Sequence, residues 1–423
     1  MRELQEKPKY HIWTIGCQMN KAESERLGGF FEQKGYQATT VVDEANIIVL
    51  NSCVVRQSAE NRVVNKLHAL KSLKKQHPDL TLAVTGCWVD SNVTQLSKSF
   101  PHVDHFFGPG EQPYWLAEGE WDKVTPPNAG PTAYVPIIQG CDNFCSYCIV
   151  PYRRGREQSR SVDDIIHEVY ERVRLGTREV TLLGQNVDSY GNDLPDRPDL
   201  ADLLAELNTI DGLARIRFLT NHPKDMSPRL ITAMANLDKV CEQLSLPVQS
   251  GSNDILKAMK RGYAVEGYRR VVEAIRQQVP GVALSTDVIV GFASETEEQF
   301  QETYNLLSVL KFDTVHCAAY SPRSGTVAAR ELEDNVPAAE KKRRLNIVEQ
   351  LQESIATEIN AGLLGKTVEV LVEGRKGGKW QGRTRTDKLV FFQDRDNRRG
   401  QLLPVRIEQT SPWSLQGIPD IER

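Results

Sequence analysis

Three cysteines, Cys141, Cys145 and Cys148, stand at C-x3-C-x2-C spacing in the stretch Gln139-Gly-Cys-Asp-Asn-Phe-Cys-Ser-Tyr-Cys148. Three thiolates on one short loop suit a [4Fe–4S] cluster with one iron left open. A closed structural zinc site wants a fourth protein ligand, and the loop offers none. A disulfide would leave one cysteine over. A second set, Cys17, Cys53 and Cys87, is scattered, but each follows directly on an apolar run. Any one of these reads equally well as a small buried hydrophobe. Three at the same structural position read as a shared site, again fitting a [4Fe–4S] cluster with one open iron. Cys241 and Cys317 lack spaced partners and read as core residues.

The elements that must carry these cysteines follow from hydrophobic periodicity. Residues from about Tyr10 to Gly119 repeat a βα pattern, with strands expected at Tyr10–Ile15, Asn46–Leu50 and Leu80–Val84. Helices are expected through Glu25–Lys34 and Ala59–Lys75. In a parallel sheet the carboxyl ends of the strands lie along one edge, where ligands bind, so the three scattered cysteines would converge there. Glu118–Ala133 contains Pro126-Pro127 and Gly130-Pro131 and little periodicity. It reads as a linker, at residues 126–133, between an N-terminal domain at 8–125 and a second domain at 134–362.

In that second domain six strand–helix units are expected, with strands at Tyr134–Ile138, Glu179–Leu183, Arg215–Leu219, Gln243–Leu246, Ala283–Val290 and Thr314–Ala319. Six units fall short of the eight of a closed barrel, so an open (βα)6 crescent, a partial TIM barrel, is expected. Polar residues follow the strand ends, on the face where barrel enzymes do their chemistry: Gln185 and Asn186, Asn221 and His222, Gln249 and Ser250. Ser227, Ser252 and Ser294 read as helix caps. His222, before Pro223, reads as a loop histidine fixed by backbone hydrogen bonds, with a ligand or base as the alternative.

Pro337–Ala361 reads as a long helix whose run Lys341-Lys-Arg-Arg344 is most simply a solvated face, with phosphate contact as the sharper reading. Residues 363–423 change to short alternating strands, at Thr367–Glu373, Lys379–Thr386, Lys388–Gln393 and Leu402–Gln409, the pattern of a small β-barrel. Arg375, Lys376, Lys379, Arg383, Arg385, Lys388, Arg398 and Arg399 lie there among Trp380, Phe391 and Phe392. Basic residues mixed with aromatics suit RNA, whose bases stack and whose phosphates pair.

With 423 residues, 40% hydrophobic and 26% charged, the chain is an ordinary α/β globular protein of two to three domains. Its start is charged and has no apolar signal region, and no run is long enough to span a membrane. Eight cysteines in such a chain then fit a reducing cytoplasm and metal binding better than a disulfide scaffold. The net charge of −4 leaves nucleic-acid binding open, since that needs only a local basic surface.

An N-terminal three-cysteine sheet, a C-x3-C-x2-C open barrel and a small basic barrel, in that order, resemble the methylthiotransferases of the radical S-adenosylmethionine (SAM) superfamily over essentially the whole chain. Thr14-Ile-Gly-Cys-Gln-Met-Asn20, Leu182-Leu-Gly-Gln-Asn-Val-Asp188, Leu246-Pro-Val-Gln-Ser-Gly-Ser252 and Met259-Lys-Arg-Gly-Tyr263 are most similar to the MiaB-type branch, which acts on tRNA. Two loops depart from the usual wording: Gly291-Phe-Ala-Ser-Glu-Thr296, and Asn221 where serine is common.

The resemblance implies two [4Fe–4S] clusters, one on Cys141, Cys145 and Cys148 that cleaves SAM reductively, and one on Cys17, Cys53 and Cys87 that holds the sulfur to be inserted. A second SAM would methylate that sulfur. Tyr147 is then expected against the SAM adenine, with Gln185, Asn186, Gln249 and Ser250 near its methionine or ribose. The last domain would be a TRAM-like RNA-binding barrel. The implied substrate is N6-isopentenyladenosine in the tRNA anticodon loop, methylthiolated at C2, with an electron donor such as flavodoxin or ferredoxin and a separate sulfur donor. The alternatives are methylthiolation of threonylcarbamoyl adenosine or of a ribosomal-protein aspartate, and a non-catalytic Fe–S RNA-binding or electron-transfer protein. Relatives acting on the aspartate usually carry Gly-Cys-Pro-Lys-Asn where this chain has Gly16-Cys-Gln-Met-Asn20.

Overall fold

The computed structural model describes residues 7–53, 57–89, 92–116, 121, 124 and 130–420; of the expected linker, residues 126–129 lie outside the described residues. In the N-terminal part, β1 (Lys9–Thr14), β2 (Gln37–Ala38), β3 (Ile47–Ser52), β4 (Thr81–Gly86) and β5 (His105–Phe106) form a parallel sheet in the order β2-β1-β3-β4-β5. Helices α1 (Gln18–Gln33), α2 (Gln57–Gln76) and α3 (Val93–Ser99) alternate with the strands. The three expected strands are the centre of the sheet, and β2 and β5 are two-residue additions at its edges. Every residue of β3 is buried, as a central parallel strand covered on both faces requires.

The second part begins with β6 (Thr132–Pro136) and β7 (Ile138–Gln139), so the single strand expected at Tyr134–Ile138 is broken at Ile137. There the backbone amide of Ile137 turns to the carbonyl of Leu183, and β7 leaves to pair antiparallel with β8 (Gln158–Ser159). This ribbon closes the base of the cysteine loop, which carries α4 (Val150–Arg154). Strands β6, β9 (Glu179–Leu183) and β10 (Arg215–Phe218) form one parallel sheet, and β11 (Gln243–Ser245), β12 (Ala283–Val290) and β13 (Thr314–Ala319) another. An isolated parallel bridge, Ile216 to Val240, links the two into one crescent of six parallel strands. Helices α5 (Val162–Arg174), α6 (Leu200–Asn208), α7 (Pro228–Asn236), α8 (Asn253–Ala258), α9 (Val265–Gln278), α10 (Glu297–Leu310), α11 (Val327–Glu331) and α12 (Ala338–Ala361) complete this part. Ile165, Val169, Leu203, Leu207, Val272 and Leu306 from four of them share one core with the strands.

Two local expectations fail for physical reasons. Ser227 does cap α7, accepting from the Leu230 amide, and Ser252 stands at the start of α8 without a side-chain bond. Ser294 is not a cap; Thr296 takes that place, because Thr296 and Gln299 form a reciprocal capping box. The Lys341–Arg344 run is also no simple solvated face. Lys341 is buried against the Tyr320 carbonyl and Asp334, and Arg344 pairs with the buried Glu295 at 2.7 Å.

The last part is a closed barrel, β14-β15-β16-β18-β17, from β14 (Thr367–Lys376), β15 (Lys379–Thr384), β16 (Leu389–Phe392), β17 (Leu402–Thr410) and β18 (Leu415–Pro419). Four strands were expected; the fifth, β18, closes the sheet by pairing parallel with β16 and antiparallel with β17. Closure leaves no free edge. Trp380 and Phe392 lie in its core with Val370, Val390 and Val405. They are therefore not stacking platforms, and only Phe391 of the three aromatics is half-exposed.

The barrel is fastened to the crescent by buried arginines. Arg215 and Arg217 alternate along β10 with Ile216 and Phe218, which belong to the main core. Arg215 donates to the Arg383 carbonyl at 2.8 Å and pairs with Glu369 at 2.8 Å. Arg217 pairs with Glu179 at 3.0 Å. From the barrel, Arg385 returns to Glu242 and the Val240 carbonyl, and Lys388 pairs with Asp313 at 2.6 Å.

Candidate functional site

The scattered cysteines meet because of register. Residues Asn51 and Ser52 of β3 pair with Thr85 and Gly86 of β4, so Cys53 and Cys87 leave adjacent strands at the same level. On the other side the Ile15 amide donates to the Asn51 carbonyl, which brings Gly16-Cys17 alongside. Two buried asparagines lock this corner. Asn20 donates to Asn51 Oδ1 at 2.8 Å, and Asn51 returns a bond to the Asn20 carbonyl at 2.8 Å. Gly16 sits at φ +150°, where an added Cβ would lie 2.9 Å from the Cys53 Cβ and 2.2 Å from Asn20 Oδ1. The backbone approach that brings two of the three cysteines together thus requires glycine. Cys17 is exposed at the start of α1, and Cys53 and Cys87 are buried.

The second triad lies on the loop between β7 and β8. Gln185 accepts from the Gly140 amide at 2.6 Å, the Cys141 amide donates to the Gly155 carbonyl, and Ser146 is tied to Met259 and Ala258 on the far side of the crescent. Cys145 is buried, and Cys141 and Cys148 are half-buried. Tyr147 packs against the cluster of Ile255, Met259 and Phe292.

One buried arginine serves each triad. Arg154 Nε lies 3.0 Å from Cys87 Sγ and its Nη1 2.6 Å from Glu23. Arg261 Nη1 lies 3.3 Å from Cys145 Sγ, and its other nitrogens bond Tyr263 and the Pro247 carbonyl. Neither arginine had a role in the sequence reading. Arg154 stands six residues past Cys148 but serves a cysteine 67 positions before it, so only the fold reveals the contact. Burial pushes the Cys87 thiol up to about 12, against the pull of Arg154, and pushes Cys148 up to about 12 as well. These thiols are protonated until a metal displaces the proton.

The polar residues at the strand ends divide. Asn186 donates to Asp225 at 2.8 Å, and its Oδ1 is buried without a partner. Gln249 holds a left-handed backbone, φ +70°, at the β11–α8 turn. Ser250 is fully buried and faces α10, sharing a hydrogen bond with Thr303 at 3.3 Å. Gln185 orients the cysteine loop, as described. His222 is fixed as expected: its amide donates to Asp188 at 2.8 Å and its Nδ1 accepts from the Lys224 amide. Burial lowers its imidazole to about 3, so the ring is neutral. Asn221, one of the two departures from the usual wording, also bonds Asp188, whose carboxyl burial raises to about 7.

Between the crescent and the C-terminal barrel lies a cavity of about 500 Å³. Ser285, Asp287 and His316 line it from the crescent, Lys388 and Trp413 from the barrel, and Gln18, at the start of α1 and next to Cys17, from the N-terminal part. All three parts of the chain therefore wall one chamber.

Among the described residues, no three Cys, His, Asp or Glu side chains converge on a single metal ion. A four-iron cluster makes a different demand, because each thiolate takes its own iron and the three need not share a point. The donor set fits: three thiols per site, each site with a buried guanidinium beside one sulfur to offset the charge of thiolate ligands. At the N-terminal site, Arg154 Nη2 and Glu23 Oε2 are buried without partners.

Family comparisons agree with this architecture. The Radical SAM superfamily matches residues 135–307, the TRAM domain matches 363–419, and a family described as uncharacterized, UPF0004, matches 9–108. A tRNA-2-methylthio-N(6)-dimethylallyladenosine synthase of Dehalococcoides mccartyi strain CBDB1 is 55% identical, covering 97% of this chain and 98% of that one. The enzyme of the same name from Chloroflexus aurantiacus is 46% identical over 98% and 92%. Among solved structures, the radical SAM methyltransferase TsrM of Kitasatospora setae, with cobalamin and a [4Fe–4S] cluster bound, shares the fold at TM-score 0.55 and 12% identity, over 74% of this chain and 75% of that one. Radical SAM membership implies a [4Fe–4S] cluster and SAM. On the strength of near full-length identity and three matching domains, the chain belongs to the tRNA-2-methylthio-N(6)-dimethylallyladenosine synthase family of radical SAM enzymes.

Proposed function

We propose that this chain methylthiolates C2 of N6-isopentenyladenosine beside the anticodon of tRNA, in the cytoplasm, using two SAM and two [4Fe–4S] clusters. The observation that carries the reading is that the chain holds two separate cysteine triads, each with its own buried arginine, together with a chamber walled by all three parts of the chain, which Gln18, next to Cys17, lines. The identity to relatives named for this reaction supports the same substrate. Cys141, Cys145 and Cys148 would hold the cluster that binds SAM, and Cys17, Cys53 and Cys87 the one that carries sulfur. When bound, these groups supply an electron, a carbon-centred radical from SAM and the sulfur and methyl that the product gains.

The chain's own residues do the rest. Adenine C2–H is not acidic enough for a side-chain base, so the protein's task is positioning rather than proton transfer. Gln185 holds the Gly140 amide and thereby the cysteine loop. Tyr147, Asn186 and Gln249 border the SAM side of the crescent, and the unpartnered Asn186 Oδ1 is an acceptor suited to the SAM ammonium. The neutral His222 braces the loop that holds Asp188. An anticodon loop offers unstacked bases, and extruding one adenine would let it enter the chamber. An electron donor such as flavodoxin or ferredoxin and a sulfur donor complete the partners.

The test compares prenylated tRNA with tRNA from prenyltransferase-deficient cells, using reconstituted enzyme, SAM and reductant. Methylthiolation of prenylated tRNA alone is expected. Equal activity on both, or activity only on threonylcarbamoylated tRNA or a ribosomal protein, overturns the substrate. Cluster assignment is read from iron: converting either triad to alanine should remove about half of it. Loss of the first triad should abolish SAM cleavage, and loss of the second should stop methylthiolation but spare some cleavage.

A further inference from the structure

Arg154 joins what the sequence keeps apart. It ends α4, the short helix that directly follows Cys148, yet its side chain leaves that part of the chain altogether. Nε donates to Cys87 Sγ at 3.0 Å, and Nη1 pairs at 2.6 Å with Glu23 on α1, the helix that Cys17 begins. The side chain is 2% exposed. A buried ion pair is weak evidence of stability, since desolvation offsets most of the attraction. This one is also incomplete. Nη2 of Arg154 and Oε2 of Glu23 are buried with no partner, an arrangement that costs free energy unless something else occupies the corner.

We propose that Arg154 is the positioning residue of the N-terminal cluster: it donates to the Cys87 ligand, its unpartnered Nη2 N–H would be a donor available to the group those cysteines hold, and it fixes that group relative to the other cysteine loop. The proposal rests on Cys17, Cys53 and Cys87 holding a cluster. Its physical content is twofold. Hydrogen bonds and positive charge beside cluster sulfurs favour the reduced, more negative state and so raise the reduction potential. Arg154 sits on the helix that continues the other cysteine loop, and Ile149 of that loop packs in the same core as Cys87, so a shift of the loop would reach Cys87 through both contacts. Glu23 keeps the guanidinium oriented, and removing such an orienting partner typically costs roughly 10–100-fold in metal affinity or activity.

The experiment uses full-length, reconstituted protein and measures the midpoint potential of each cluster by spectroscopically monitored titration. Each cluster is isolated by alanine replacement of the opposite triad. Arg154→Met should move the midpoint of the N-terminal cluster to more negative potential, Arg154→Lys should move it less, and the midpoint of the Cys141–Cys148 cluster should stay in place. With both triads intact, Arg154→Met should lower methylthiolated product roughly 10–100-fold, with partial recovery in Arg154→Lys. If Arg154→Met fails to take up iron at the N-terminal triad, the Arg154→Lys midpoint decides. An unmoved N-terminal midpoint in loaded protein, or equal shifts of both clusters, overturns the proposal while leaving the proposed function intact. Absence of any iron at Cys17, Cys53 and Cys87 in otherwise unmodified protein overturns both.

Discussion

Arg217 Nη2 donates to the carbonyl oxygen of Thr384 at 2.6 Å, across the boundary between the crescent and the C-terminal barrel. The bond is buried, and Arg217 also holds Glu179, whose second oxygen has no hydrogen-bond partner. Removing the barrel would strand Arg215 and Arg217 with their carbonyl acceptors gone. A truncation after Gly365 is therefore expected to destabilise the crescent instead of leaving it intact. Arg217→Met removes the buried donor to Thr384 and to Glu179, while Arg215, 3.7 Å from Glu179, keeps part of the compensation, so a cost of about 1–3 kcal/mol is expected. Urea unfolding under anaerobic conditions measures it, and a loss below about 1 kcal/mol would show that the interface is not held this way.

RNA affinity is better tested on the surface. Arg375 and Lys376, at the β14–β15 turn, are exposed, and so are Arg395 and Arg399, whereas Arg385 and Lys388 are engaged with Glu242 and Asp313. Replacing Lys376 and Arg399 by alanine should weaken tRNA binding and reduce the slope of log affinity against log salt by about 0.7–0.9 per lost phosphate contact. An unchanged slope would place the anchoring contacts elsewhere.

Gly16→Ala forces a Cβ against Cys53 and Asn20 in a backbone conformation that side chains rarely adopt. Iron bound through the N-terminal triad should fall while SAM cleavage at the other triad persists. Iron content equal to that of the parent protein would show that the corner relaxes without cost.

His222 gives a pH signature. Its folded value of about 3 lies below the ordinary value of 6.5, so the fold holds it neutral while the unfolded chain takes up a proton. Its contribution is fully present above pH 6.5 and is lost as pH falls toward 3. His222→Asn keeps an acceptor near the Lys224 amide but cannot ionise. Melting temperatures between pH 7.5 and 5.5 should therefore decline less steeply for the variant, and parallel curves would contradict the buried neutral ring.

The strands were legible because they rest on local pattern: apolar runs set them, and the placement of Cys17, Cys53 and Cys87 just past the ends of three of them followed. Arg154 and Arg261 were not, since a long arginine side chain reaches partners that no spacing records. The basic tail misled in part for the same reason. Arg385 and Lys388 read as RNA contacts in sequence, yet their partners Glu242 and Asp313 lie more than seventy residues away. Strand β18 was overlooked because Leu415–Pro419 is short and holds a glycine and a proline, and its place follows from barrel closure rather than from propensity.

The barrel's attachment makes it a ruler. Its loops both abut the crescent through Arg215 and Arg217 and line the chamber through Lys388 and Trp413. For an RNA gripped on the barrel's outer surface, the distance along the strand from grip to chamber is then set by rigid protein. A nucleotide would be chosen by how far it lies from the held backbone, before any of its own atoms are read.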